Sequence, residues 1–262
     1  MKTLKFLVCI AALASACAAC KSQYDLLLEG NDADAKYKAA FEYFDAGKYQ
    51  KAAQLFESLT FLTSGTERDD TVHYYWGLSN YKFRDYVAAE GNFASFAEVF
   101  PRSVFTPMAR FLKIDCMFRG TYRYELDQTP TYQALTEINT YLIDYPDTPN
   151  REVCDKMIDD LNERLERKEF ENARLYYKME DYKAAGVALR NVLKDNAENR
   201  YREDVLYYIA MSSYKFASMS VKDKQKERFI QFRDDYLNFV GEYPESHYRS
   251  ELDALYAKVK EK

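Results

Sequence analysis

Apolar and small positions recur along the chain in one phrase: a large aromatic, a small residue three places on, and a second large apolar residue four places further. It reads Tyr49, Ala52, Phe56, then Tyr86, Ala89, Phe93, then Tyr182, Ala185, Leu189. Looser copies at Thr131, Ala134, Ile138 and at Phe229, Phe232, Tyr236 begin fifteen residues before Pro146 and Pro244, the offset that also separates Tyr86 from Pro101. Successive starts lie 37, 45, 51 and 47 residues apart. Offsets of three and four put the members of each phrase on one helix face, where the small residue lets a neighbouring backbone approach. A second apolar helical stretch precedes the phrase, as in Tyr37, Ala40, Phe41, Phe44 and in Tyr74, Gly77, Leu78, Tyr81. The pattern predicts an all-α chain, a solenoid of about five helix pairs, each burying its apolar face by stacking on the next.

The punctuation agrees with that period. Pro101-Arg102-Ser103, Pro146-Asp147-Thr148 and Pro244-Glu245-Ser246 each place a helix-ending proline two residues before a hydroxyl that can cap the next helix. Gly47 fits a helix C-cap, and Thr66 with Asp69 has capping-box spacing. A longer loop is expected from Arg119 to Thr129, with Pro130 in the first turn of the following helix. One long helix is expected from Arg151 to about Lys178. The fourth boundary reads Asn196-Ala197-Glu198-Asn199 and has no proline, which leaves its register open. The fifth pair is expected near Arg202–Ser218 and Lys226–Glu242, joined by the charged run Lys222 to Arg228, which reads as a solvated helix start. Leu252, Leu255, Tyr256 and Val259 share one face of a C-terminal capping helix.

At the N-terminus, Lys2 and Lys5 precede an apolar run from Phe6 to Ala16 that is too short to span a bilayer and reads as an export signal. Ala14-Ser15-Ala16-Cys17-Ala18-Ala19-Cys20 resembles a bacterial lipobox, with Cys20 as the lipidated residue and Cys17 as the alternative. The expected organisation is a lipoprotein signal peptide over 1–19, a polar tether over 20–33 that need not be ordered, and the repeat solenoid over 34–262. An oxidising compartment permits a disulfide between Cys116 and Cys154, although cysteines on apolar helix faces are more often buried thiols.

Charge and chemistry narrow the function by exclusion. The formal net charge of -5 does not suggest a nucleic-acid-binding stripe, although a sum leaves a local basic patch open. His73 and His247 are the only histidines and neither has metal-ligand neighbours at the right spacing. No phosphate-binding glycine loop or nucleophile elbow occurs, and Asp69-Asp70 and Asp159-Asp160 read as solvated helix positions. Trp76 falls on an apolar helix face and reads as core. No catalytic residue, metal or small-molecule substrate is expected.

Gly47-x-Tyr49-x-x-Ala52-x-x-x-Phe56 resembles the tetratricopeptide repeat, as does Tyr86 to Pro101. The order of features is more specific. The lipobox, Tyr24 with Leu26 to Leu28, YKAAFEYFDAGKYQKAAQLFESL, FPRS, the insertion with Asp127-Gln128-Thr129, YPDT and ERKEFENARLYYKMEDYKAA together resemble the BamD family of outer-membrane assembly lipoproteins, in a form like that of Bacteroidetes. The resemblance implies a non-enzymatic periplasmic scaffold held at the outer membrane by acyl chains, palmitate among them, on the N-terminal cysteine, with no other cofactor. It implies BamA, through its POTRA domains, and unfolded β-barrel proteins as partners. Carried onto this chain, the cargo groove falls on Tyr37, Phe41, Phe44, Tyr74, Leu78 and Tyr81, residues that could equally pack between helices. The BamA contact falls on Arg200, Arg202, Glu203 and the final helices. Lys21 after the cysteine and the lack of an acidic run in the tether imply a periplasm-facing protein. The competing readings are another tetratricopeptide-repeat envelope lipoprotein acting as an adaptor, and an enzyme or glycan-binding lipoprotein, for which no polar constellation is found.

Overall fold

Twelve α-helices and no strand make up the described residues, 22–259, of this computed structural model. In chain order they are α1 (Gln23–Glu29), α2 (Ala33–Asp45), α3 (Tyr49–Leu62), α4 (Asp69–Phe83), α5 (Tyr86–Val99) and α6 (Thr106–Arg119). Then come α7 (Thr129–Asp144), α8 (Arg151–Lys178), α9 (Tyr182–Asp195), α10 (Arg202–Ser218), α11 (Lys222–Glu242) and α12 (Arg249–Val259). The expected signal peptide and both candidate lipidated cysteines lie outside the described residues.

The repeat phrase sets the second helix of each pair. Tyr49, Tyr86 and Tyr182 are the first residues of α3, α5 and α9. Ala52, Ala89 and Ala185 are fully buried, as are Phe56, Phe93 and Leu189 four places on. The looser copies bury Ala134 and Ile138 in α7 and Phe232 in α11 in the same way. The chain enters α3, α5 and α9 through equivalent left-handed residues, Gly47, Arg84 and Glu180, with φ of 72°, 70° and 62°. Asp85 and Asp181 then cap α5 and α9 by accepting the amides of Ala88 and Ala184 at 3.0 Å. Only the first of the three left-handed positions is glycine, the residue without a Cβ penalty there.

Five boundary turns share one device. Thr66, Ser103 and Thr148 accept the N–H of Arg68, Phe105 and Asn150 at 3.3, 3.2 and 3.2 Å. Asn199 and Ser246 accept from Tyr201 and Tyr248 at 2.9 and 3.1 Å. These five residues are separated by 37, 45, 51 and 47 positions, the intervals of the phrase itself. Asn199 therefore fills the hydroxyl's place at the boundary that lacks proline, and the register there follows the others.

Three local expectations change. Thr66 and Asp69 do not form a capping box: Asp69 begins α4 and its carboxylate accepts from the Gly65 amide at 2.8 Å. The charged run from Lys222 forms the opening turns of α11 itself, so the connection from α10 is only three residues long. Part of the expected tether is helical. Ser22 and Asp25 close a capping box on α1, and Tyr24 is buried, its hydroxyl donating to Gln54 Oε1 at 2.7 Å.

Where the period reads as a single solenoid over 34–262, the packing divides into two compact units. One takes the chain as far as Thr121 together with Thr136–Arg151, and the other takes Tyr122–Leu135 and the chain from Glu152 onward. The first has two cores, one around Ala52, Leu55, Phe56 and Leu59 and one around Ala89, Phe93, Phe96 and Ala109. The second has one core running from Phe170 to Val259, with Leu189, Ala210, Phe232 and Phe239 at its centre. Within each unit helix pairs stack on helix pairs, the tetratricopeptide-type all-α arrangement.

Candidate functional site

The six residues of the expected cargo groove lie on α2 and α4, the first helices of the first two pairs. Tyr74 is buried and the other five are half-buried. Phe41 meets Tyr37, Phe56 and Tyr75 at ring separations of 5.0, 5.1 and 4.7 Å, and Phe44 meets Tyr49 and Tyr75 at 5.4 and 5.2 Å. Tyr74 stacks on Phe105 at 4.5 Å. The two sets meet at Tyr75, which also touches Tyr74 at 5.6 Å edge to face. Tyr75 was not among the expected residues. Its signal was the uninterrupted run Tyr74-Tyr75-Trp76, in which successive rings must point to different neighbours.

The hydroxyls of this seam are partly engaged. Tyr81 donates to Asp115 Oδ2 at 2.7 Å, and Arg119 Nε donates to the same oxygen at 2.5 Å. Burial first, and then the Asp115 carboxylate, push the Tyr81 hydroxyl up to about 12, so it is a donor at any physiological pH. At the other end, the Arg68 guanidinium lies 4.7 Å from the Tyr37 ring and pairs with Asp34 at 2.5 Å. Trp76 is half-buried and packs against the first core.

Arg200, Arg202 and Glu203 all sit at the start of α10 or in the turn before it. Arg200 is paired with Asp159 and, at 3.4 Å, with Glu166. Arg202 makes a bidentate pair with Glu242 at 2.8 and 2.8 Å and donates to the carbonyl of Ala197 at 2.8 Å. That last contact belongs to the repeat: Arg151 donates to Pro146 O at 3.0 Å and Arg249 to Pro244 O at 2.8 Å from the same place in their own boundary turns. Both arginines expected to meet a partner thus have intramolecular partners, and both remain partly accessible. Glu203 is half-buried.

Cys116 and Cys154 are buried in α6 and α8. Burial, with the neighbouring Asp115 and Glu90 carboxylates, pushes the Cys116 thiol up to about 12, which makes it a packing residue and a poor nucleophile. Among the described residues no group of three or more His, Cys, Asp and Glu side chains is placed to hold a metal ion. No helix among them is long and apolar enough to cross a membrane.

The chain is 24% identical over 200 residues to the outer membrane protein assembly factor BamD of Caulobacter vibrioides, an alignment that covers 76% of this chain and 66% of that relative, just under two thirds of its length. A thermophilic TPR protein of Thermus thermophilus superposes with a TM-score of 0.33 at 15% identity, covering 85% of this chain and 98% of the other. Residues 29–229, from the last residue of α1 into α11, match the family YfiO, described as outer membrane lipoprotein. The match takes in all five phrase starts, four of the five boundary turns and the expected groove, and the chain belongs to this family of outer membrane lipoproteins.

Proposed function

We propose that the chain is a non-enzymatic, lipid-anchored scaffold of the machinery that assembles β-barrel proteins into the outer membrane. The observation that carries this reading is the family match over residues 29–229, joined by the relationship to a protein named as an assembly factor. In this reading Cys20, or Cys17 in its place, bears the acyl chains, and the helix pairs face the periplasm. More than one acyl chain gives stable anchoring. The partners are a BamA-type barrel protein, bound through its POTRA domains, and unfolded β-barrel proteins.

The aromatic seam along α2 and α4 is the proposed cargo surface. Half-buried tyrosines and phenylalanines offer apolar area with polar tips, which suits an extended, aromatic-rich segment whose backbone still needs hydrogen-bond partners. The start of α10, with Arg200, Arg202 and Glu203, is the proposed contact for the BamA-type subunit, reached by exchanging intramolecular carboxylates for those of a partner.

Pull-down from outer membranes in mild detergent through a C-terminal tag, with mass spectrometry of the partners and of the N-terminal peptide, tests the assignment. A POTRA-bearing barrel protein recovered with an acylated Cys20 is the expected result. Acylation with reproducible absence of any barrel-assembly partner overturns it and leaves a repeat lipoprotein that serves another envelope complex.

A further inference from the structure

Two grooves occupy the same place in the repeat, one in each unit, and their charge is opposite. In the first unit a groove of about 380 Å³ runs between α3, α4 and α5. In the second a groove of about 170 Å³ runs between α9, α10 and α11. Counted from the phrase starts and the boundary turns, their linings correspond residue by residue: Gln50 with Lys183, Glu57 with Arg190, Asp85 with Arg228, and Phe83 with Phe216. Both acidic positions of the first groove are arginine in the second, and the neutral glutamine is lysine.

The cations of the second groove are only partly balanced. Arg190 pairs with Asp235 Oδ2 at 2.6 Å, and that carboxylate also accepts from Ser213 and, at 3.1 Å, from Gln231. Asp235 is therefore committed to the wall of the groove. The Arg228 guanidinium lies over Phe216, 4.1 Å from the ring centroid, and donates to the Ser220 hydroxyl, with no ion-pair partner among the described residues. Lys183 is exposed and has no ion-pair partner among the described residues. A Cβ at Gly186 would stand 3.1 Å from Arg190 Nη1, so glycine lets that guanidinium lie back along α9 and leaves the groove open. All this sits in a chain whose formal charge is -5.

We propose that the groove between α9, α10 and α11 binds a carboxylate side chain presented by an acidic stretch of a partner polypeptide. Its volume is below the roughly 300 Å³ at which small-molecule sites begin, and fits one side chain. Arg228 offers the planar fork that recognises carboxylate, and Lys183 a mobile second charge. Val187, 56% exposed on the rim, gives an apolar shoulder for the residue beside the acid. An anionic lipid surface is the weaker occupant, because such surfaces are met by clusters of about four to eight cations on an open face and three line this groove. The proposal goes beyond the assembly-scaffold reading and holds whichever envelope protein supplies the acidic stretch.

The test titrates the full-length protein with short acetylated, amidated peptides carrying paired glutamates and one leucine in a Gly-Ser background, and with matched glutamine peptides. The glutamate peptide is expected to bind and the glutamine peptide not. Arg228→Glu and Lys183→Glu should each weaken binding about tenfold or more, and added salt should weaken it in the parent protein. Glu57→Lys, in the corresponding groove of the first unit, should leave it unchanged. Lys183 is exposed, so loss of binding in Lys183→Glu with an unaltered helical circular dichroism spectrum separates a lost site from a lost fold. Equal binding of the two peptides, binding of neither, or an equal loss in Glu57→Lys overturns the proposal. So does binding of phosphatidylglycerol vesicles that Lys183→Glu abolishes while peptide binding is untouched, which would assign the groove to lipid.

Discussion

Lys36 Nζ donates to the carbonyl oxygen of Leu28 at 2.8 Å, so the end of α1 is closed by a lysine of α2. The same ammonium reaches Ser58 Oγ on α3 at 3.1 Å, and Lys36, 3% exposed, has no carboxylate partner among the described residues. Burial lowers its pKa for that reason. Lys36→Met keeps the stem's packing and removes the buried charge, but leaves the Leu28 carbonyl unsatisfied. Hydrogen bonds from a charged donor outweigh the relieved desolvation, and the expected loss is about 1–2 kcal/mol in the docking of α1. Hydrogen exchange should show faster exchange over residues 23–29, with the main thermal transition of the protein barely moved.

Gly77 decides how closely α4 approaches α5. A Cβ there would lie 2.8 Å from Phe93 Cε1 and 3.2 Å from Asn92 Cβ, and Phe93 is fully buried with no room to retreat. Gly77→Ala gains about 1 kcal/mol of helix propensity. Overpacking costs about 1–3 kcal/mol in such a site. The substitution is expected to destabilise on balance, read as a lower denaturation midpoint, whereas Gly91→Ala, where nothing lies within 4 Å of an added Cβ, should stabilise.

Much of the fold was legible because the phrase and the boundary turn repeat with one set of intervals. The first residues of α3, α5, α8 and α9 fall where the pattern places them. What escaped depends on distant partners. A seven-residue helix such as α1 is not stable by itself, and only contacts such as Tyr24 with Gln54, thirty residues on, make it form. The facing of the six expected groove residues was not legible, because packing between helices and binding a partner both call for large aromatics. Nor does the sequence announce that Arg200 meets Asp159 across 41 residues. The fourth boundary, unreadable without its proline, makes a test of the turn device. Asn199 is 2% exposed, and its Nδ2 has no hydrogen-bond partner among the described residues. Asn199→Ala should cost about 1 kcal/mol by removing the acceptor for the Tyr201 amide. Asn199→Ser keeps the acceptor, removes the orphaned donor and should retain or raise the denaturation midpoint.

Arg84 and Glu180 hold left-handed backbone in positions where the first pair has Gly47. A side chain at such φ costs about 1–2 kcal/mol, and replacing it with glycine returns part of that to unfolded-chain entropy, about 0.5–1 kcal/mol. Arg84→Gly and Glu180→Gly should therefore each stabilise, by up to about 1 kcal/mol, and the reverse change, Gly47→Ala, should destabilise by a similar amount. Urea denaturation of the three variants checks sign and size together.

His73 supplies a pH dependence. Its ring packs 5.3 Å from Phe100 and 6.3 Å from Trp76, with Nε2 3.5 Å from Asp69 Oδ1. Burial lowers its pKa, and the Asp69 charge offsets that only in part. In the folded state the imidazole thus resists a proton that the unfolded chain accepts with a pKa near 6.5. Between the lowered folded value and that unfolded value, unfolding takes up a proton, so stability rises with pH across this window and is lost as the solution is acidified through it. Carboxylates elsewhere also respond to acid, and the informative quantity is the difference from a variant that cannot titrate. His73→Gln should flatten the dependence of the denaturation midpoint between about pH 7 and pH 5. An unchanged slope in His73→Gln would place the acid sensitivity of the first unit on its carboxylates.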